Sequence, residues 1–428
     1  MFKLIMPQML KASCRDKNIW KRMNTVTTET CLSLDRISTL PPPIIDAILC
    51  LLPIKEAVRT SILSSEWRYN WTNIPVLCFR YDELINESEA GTDVLSIVEK
   101  MFDLPSEAIN MIHERKHIDA IKQCMLLHQG PLLEFSLLAL THNVELDQLI
   151  NHLSRKNTLQ ILSLDVINAY RLPLSIFSMQ QLTKLGLRNC SIYYHPKVGG
   201  FKNLTSLYLH DVRISTKTLL HILSSCPLLK RITMFMDQNL GNDKSSICDL
   251  NECVPVIERL ITYTGLSNWF SFDSLPPQEQ LISLDHLKYL HIDHMLFIDS
   301  YDLPMLFHLI RSSPNLETLS LHTLDYLMRG TSFTTENYSN IWLKNLSELK
   351  IYGYFDIVYH LEFVQLLLIK SPMLKKVSIY TFTYDEVSNI SRLLLDSPSA
   401  SGSIKIIVEY SDICKAGLKL LEPTPLPC

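Results

Sequence analysis

Leu182-Thr-Lys-Leu185-Gly-Leu187-Arg-Asn-Cys190 and Leu204-Thr-Ser-Leu207-Tyr-Leu209-His-Asp-Val212 are two copies of one pattern, Leu-x-x-Leu-x-Leu, 22 residues apart. The pattern returns from Leu132 onward every 22 to 30 residues or so, the spacing of a stacked repeat. Clear units also begin at Leu159, Leu287, Leu316, Leu346 and Leu374, and weaker ones at Leu132, Leu229 and Ile257. Between several of them an apolar stretch ends in a polar residue and proline: Leu219 to Pro227, Met305 to Pro314, Phe363 to Pro372 and Ile390 to Pro398. Proline stops a helix and sends the chain back to the next strand. The expected fold is therefore α/β, a right-handed βα leucine-rich-repeat solenoid (horseshoe) with parallel strands on its concave side and helices on its convex side. Each repeat leaves an apolar face bare until a neighbour stacks on it. The ninth position of the repeat is Cys190 in one unit but Ile167, Val212, Met295, Leu324 and Phe382 in others, so the turns are expected to rest on apolar packing.

Outward toward the N-terminus, residues 35–80 have a different pattern. Ile44, Ile45, Ile48, Leu49, Leu51 and Leu52 recur at helical spacing, with Pro43 suited to a first helical position. Pro53 restarts the chain, Ala57 and Val58 carry a second short helix, and Ser64 can cap a third holding Trp67 and Trp71. A segment this small buries few of its own side chains, so part of the stripe is expected to be completed by a second chain. Half a dozen such side chains are worth roughly 10 kcal/mol before the costs of association. The matching residues include Asp35, Arg36, Leu40, Pro41, Leu52, Pro53, Val58, Trp67, Arg68, Trp71 and Pro75. On these the segment resembles the plant F-box, with Pro42-Pro43 and Glu66 as departures. The resemblance continues into the repeats. Leu127 to Leu137 is similar to the opening of the repeats in plant F-box/FBD/LRR proteins, Leu223 to Leu229 to a signature midway along them, and Trp342 to Ile379 to the FBD segment.

The resulting division is a flexible segment at 1–34, the F-box at 35–80, a helical joint at 81–124, the solenoid at 125–410 with the FBD-like part at about 341–400, and a tail at 411–428. The resemblance implies the substrate-recognition subunit of a Skp-cullin-F-box ubiquitin ligase, in which the F-box binds a Skp-type adaptor and through it a cullin. It implies an intracellular protein, in the nucleus, the cytoplasm or both. A scaffold that binds partners without directing degradation is the alternative, and sequence does not separate the two. The residues expected to bind the adaptor are Leu40, Pro41, Ile45, Ile48, Leu49, Leu52, Pro53, Val58, Trp67 and Trp71. Strand alternation turns the third, fifth and seventh positions of each repeat to the concave face. There Arg188, Tyr208, Arg231, Phe235, Arg259, Tyr263, Tyr289 and His291 are expected to bind a protein client with an acidic or phosphorylated segment, because Tyr and Arg dominate binding hot spots.

Composition narrows the alternatives. With 428 residues and 47% hydrophobic content the chain can bury a sizeable core. A formal charge of -4 without a long basic run argues against nucleic acid as a partner, and no apolar run is long enough for a membrane span. The 11 cysteines are scattered, with no CxxC, which fits reduced thiols better than a disulfide framework. Pro7 and Gln8 interrupt the apolar centre a secretory signal would need. The sequons Asn203-Leu-Thr and Asn345-Leu-Ser set their acceptors beside core leucines, a poor place for a glycan. His113-Glu-Arg-Lys-His117 spells a zinc-protease motif, but Arg115 and Lys116 read as a charged surface helix and no third ligand is marked by spacing. His286, His291 and His294 cluster around one strand and read as solvated or partner-binding. No cofactor, no metal and no catalytic residue is expected.

Overall fold

The structure is a computed structural model, describing residues 40–65, 67–79, 118–139, 144–193, 200–235, 245–262, 270–271, 283–295, 302–323, 341–353, 355, 359–382 and 387–410. The expected lead-in, residues 81–117 of the joint with His113 and His117, Tyr263 and the C-terminal tail lie outside these residues. The chain divides into two compact units, 1–179 and 180–428.

The first unit begins with helix α1 (Pro42–Cys50), one residue earlier than Pro43 suggests, with Pro41 accepting the first backbone hydrogen bonds from Ile44 and Ile45. Pro53 then precedes α2 (Ile54–Arg59). The Trp67–Asn73 segment is a 3-10 helix rather than an α-helix; Ser64 Oγ accepts from Trp67 N–H at 3.2 Å, as expected of a cap. Its tight winding ends where the Thr72 carbonyl accepts from Gln129 N–H at 2.8 Å, outside the helix. Ile45, Leu49, Ala57, Val58, Trp67 and Trp71 are buried together.

The head runs straight into a sheet. Strand β1 (Val76–Phe79) pairs in parallel with β2 (Glu134–Ala139), and β2 with β3 (Ile161–Arg171), helix α3 (Val144–Lys156) lying between β2 and β3 in the chain. Residues 118–127 are helical and bury Ile118, Ile121, Cys124 and Met125. His128 Nε2 lies 2.8 Å from the Ile74 carbonyl, and a Cβ at Gly130 would stand 2.6 Å from Asn73 O, so only glycine lets the backbones approach there. Residues 76–79 thus add a strand to the sheet that β2 and β3 continue.

The second unit is a parallel sheet of β4 (Lys184–Ser191), β5 (Ser206–His210), β6 (Arg231–Phe235), β7 (Arg259–Thr262), β8 (Tyr289–Met295), β9 (Thr318–Thr323), β10 (Glu348–Gly353), β11 (Lys376–Thr381) and β12 (Lys405–Tyr410). Each strand pairs with the next, and Lys184, Ser206, Arg231, Arg259, Tyr289, Thr318, Glu348, Lys376 and Lys405 form one row across the sheet; between β8 and β9 the register shifts once, between Ile292 and Met295. The first-position residues Leu182, Leu204, Leu229, Ile257, Leu287, Leu316, Leu346 and Leu374 are all buried. Units starting at Leu229 and Ile257 are therefore full repeats. The βα leucine-rich-repeat expectation holds.

Helices α4 (Thr216–Ser224), α5 (Ile247–Cys253), α6 (Asp302–Ser312), α7 (Tyr359–Lys370) and α8 (Val387–Leu395) connect strands. The polar residue before proline has a job: Ser313 Oγ donates to Leu309 O and Ser397 Oγ to Leu393 O, both at 2.6 Å, each covering a carbonyl the helix end leaves open. A positive φ recurs at the eighth repeat position, near 50° in Asn189, Asp211 and His294 and at 106° in Gly353. Asn, Asp and Gly are the residues that tolerate it best. The ninth-position side chains Cys190, Val212 and Met295 are buried, as apolar turns require.

The sequon asparagines act as clamps between repeats. Asn203 Nδ2 donates to Gln180 O at 2.9 Å, Asn345 Nδ2 to Pro314 O at 3.2 Å and to Asn315 Oδ1 at 3.0 Å, and Thr205 Oγ1 to Thr183 O at 3.0 Å. Asn203→Ala is expected to cost about 1 kcal/mol, the net worth of one such bond, measured by urea denaturation. An unchanged midpoint would show that the clamp contributes nothing.

His308 on α6 is buried, with Nε2 3.2 Å from Asn251 Nδ2 on α5. Burial, with a smaller contribution from Arg311, brings its pKa from 6.5 to about 4. Since the folded value lies below the unfolded one, this site's stabilisation is complete above about pH 6.5 and lost as pH falls toward 4, on the order of 2–3 kcal/mol at most. His308→Gln should flatten the loss of stability between pH 7 and 5 in parallel melts; an identical slope in the variant would contradict this.

Candidate functional site

Two surfaces could meet partners, and each is set by local geometry. On the head, α1 divides its apolar residues. Ile45 and Leu49, four apart, face the core, whereas Ile44 is 47%, Ile48 37% and Leu51 84% exposed. The following turns add Ile62 at 69% and Leu63 at 59%, and Tyr69 from the 3-10 helix at 66%. Of the residues expected to bind the adaptor, Ile45, Leu49, Val58, Trp67 and Trp71 are buried in the head's own core. Helical period alone had placed both faces in one wide stripe. Leu40 and Leu52 are half-buried, and Pro41, Ile48 and Pro53 exposed. Ile44 and Leu51 belong to the stripe read from the sequence but not to the expected adaptor contacts, and Ile62, Leu63 and Tyr69 lie outside both.

On the sheet of the second unit, Arg231 and Arg259 are exposed register partners on adjacent strands. The Arg259 guanidinium lies 3.6 Å from the centroid of the Tyr289 ring, a cation–π contact that holds it in place. Arg188 is exposed on β4. Tyr208, half-buried, packs near His210 and Phe235 with ring centroids 6.2 Å away from each. Phe235 is buried, and His291, only 2% exposed, has Nδ1 2.8 Å from Ser320 Oγ. Both thus offer a client far less surface than the arginines of the same face. Alternation correctly placed them on the face but says nothing of depth, which neighbouring strands decide. Burial brings the His291 pKa to about 4.

Charge differs along this face. Toward β10 and β11, Glu348 takes hydrogen bonds from Lys350 and from Lys376, both at 2.9 Å. Burial pushes the Glu348 carboxyl upward, but the two ammonium groups outweigh it and hold the pKa below the ordinary value. Tyr352 and Tyr380 stack there with centroids 5.0 Å apart. Arg231 and Arg259 have no carboxylate within salt-bridge distance among the described residues; the Glu258 carboxylate that Arg231 helps to stabilise is paired with Lys230 at 2.8 Å.

Cys50, Cys124, Cys190, Cys226 and Cys253 are free thiols, whereas Cys78 is disulfide-bonded, so the expectation of reduced thiols fails at that residue. Among the described residues no helix is long and apolar enough to cross a membrane.

A small helical head continuous with parallel βα repeats defines a leucine-rich-repeat protein with an added helical segment. The repeats match the family model for the LRR repeats of FBD-associated F-box protein At5g56370, over residues 146–248. The chain is 25% identical over 415 residues to F-box/FBD/LRR-repeat protein At1g13570 of Arabidopsis thaliana, covering 85% of this chain and 95% of that protein. It is 28% identical over 261 residues to FBD-associated F-box protein At5g56370 of the same plant, covering 60% of this chain and 54% of that protein. It thus resembles the plant F-box/FBD/LRR-repeat proteins over most of its length. A Leptospira interrogans LRR protein covers 66% of this chain and 91% of its own at 12% identity, with a TM-score of 0.22.

Proposed function

We propose that the chain is a substrate receptor of a Skp-cullin-F-box ubiquitin ligase, its head docking on a Skp-type adaptor and its repeats holding a protein client. The observation that supports this most is the exposed apolar surface of Ile44, Leu51, Ile62, Leu63 and Tyr69 on a head whose core is already filled by Ile45, Leu49, Trp67 and Trp71. Single exposed apolar residues are ordinary, but five large ones on so small a head, with its core already filled, favour an interface. The names of its relatives, which carry F-box, FBD and LRR elements, support the same reading. The chain would perform no chemistry itself. It would raise the effective concentration of client beside the ubiquitin-charged enzyme, a contribution of proximity.

The test is titration of a purified plant Skp-type adaptor into the full chain, followed by calorimetry. Micromolar or tighter one-to-one binding is expected; absence of binding would remove the basis for the receptor role.

A further inference from the structure

We propose that Asp293, His294 and His322 hold one zinc ion between two consecutive repeats. Asp293 and His294 are neighbours at the end of β8, and His322 occupies the position corresponding to Asp293 on β9. One ligand atom from each lies within 4.8 Å of the others. His294 Nδ1 is 3.4 Å from Asp293 Oδ1, near the roughly 3.3 Å separation that two ligands of a tetrahedral zinc adopt. His322 Nδ1 is hydrogen-bonded directly to the same carboxylate and must draw back by about an ångström to admit the ion.

The surroundings support the assignment. Asp293 and His322 are buried, 5% and 9% exposed, so the site is largely withdrawn from water. His294 N–H donates to Asp293 Oδ1 at 2.9 Å, which fixes the carboxylate. His294 stands at the positive-φ position where other repeats carry Asn189, Asp211 and Gly353; its φ of 53° brings the ring to 5.1 Å from that of His322. Phe382 packs edge-on to the His322 ring, with centroids 6.3 Å apart. A Cβ at Gly353 would lie 3.1 Å from His322 Cδ2, so the glycine leaves room for the imidazole. Two imidazoles with one carboxylate suit zinc, whereas magnesium and calcium prefer oxygen ligands throughout. A water completes the fourth position. The assignment departs from the expectation of a metal-free chain, and it uses none of the His113-to-His117 motif. It is independent of the proposed ligase role, because it needs neither adaptor nor client.

The full chain, stripped with a chelator and dialysed against zinc chloride, is expected to retain about one zinc per chain after desalting, and its melting midpoint to rise by several degrees. His322→Gln and His294→Asn should each retain under about a tenth of an equivalent and lose the zinc-dependent shift. His294→Asn keeps a residue that tolerates αL, so it should fold as the wild type does without zinc. Cobalt(II) should give ligand-field bands in the wild type and neither variant. His113→Ala with His117→Ala should keep the metal. A wild-type chain that retains no zinc, variants that retain a full equivalent, or loss of zinc in the His113 and His117 double variant would each overturn the proposal and leave a hydrogen-bonded clasp.

Discussion

Leu51→Asp combined with Leu63→Asp is expected to weaken adaptor binding at least roughly 100-fold without unfolding the chain. Both side chains are mostly exposed, so in the free protein the substitutions remove apolar surface from water and leave no cavity. Exposed substitutions usually shift stability by about 0.5 kcal/mol or less. In the complex each carboxylate would be buried against the apolar surface of the adaptor without a partner, which costs several kcal/mol unless it is protonated. Substituting Leu49 or Trp71 instead would be uninformative: both are buried in the head, and their loss would act through folding. Calorimetry against the adaptor, with a thermal melt as control, reads the difference. Wild-type affinity in a folded double variant would place the contact elsewhere.

The second large effect lies on the repeats. Arg231→Glu with Arg259→Glu is expected to lower capture of an acidic or phosphorylated client at least roughly 100-fold and to leave adaptor affinity unchanged. Adjacent in register and both exposed, the two arginines present one focus of charge across β6 and β7. Reversal turns attraction for an anionic segment into repulsion, so both the association rate and its salt dependence should change. Arg259 loses its contact with the Tyr289 ring in the variant, a local cost of about 0.5–1 kcal/mol at an exposed site. Arg231→Gln with Arg259→Gln separates charge from side-chain packing: intermediate capture is expected. Capture at the wild-type level by the Glu variant would move the client off this face.

The leucine ladder was legible because apolar side chains at fixed intervals have only one way to be buried together in a parallel stack. Proline after a polar residue marked the ends of α4, α6, α7 and α8. Helices α3 and α5 went unmarked, since Val144–Lys156 is not followed by proline and Ile247–Cys253 is short and rich in polar residues. Strand β12 contains isoleucine and valine but no leucine, so the repeat pattern does not point to it. The limits at the sites are of another kind. A period of 3.6 residues groups Ile44 with Ile45 and cannot say which is covered by Trp67 and Trp71 and which is bare. Alternation likewise sets His291 and Arg259 on one face, while their different depths depend on what the adjacent strands carry at the same height. The Asp293, His294 and His322 cluster joins residues from two repeats, and its third member lies 28 positions beyond the second in the chain. The pairing of β8 with β9, whose register shifts between Ile292 and Met295, brings them together.

The receptor role predicts that adaptor and client bind to separate surfaces and that both are needed for modification. Quantitative mass spectrometry of material captured by tagged full-length chain from plant tissue under proteasome inhibition tests this most directly. The wild type should bring down adaptor, cullin and ubiquitin-conjugated client; the Leu51 and Leu63 variant should keep the client but lose adaptor, cullin and the conjugates; the Arg231 and Arg259 variant should keep adaptor and cullin and lose the client. Conjugates that persist at wild-type level on the client when the head variant no longer holds the adaptor would contradict the account.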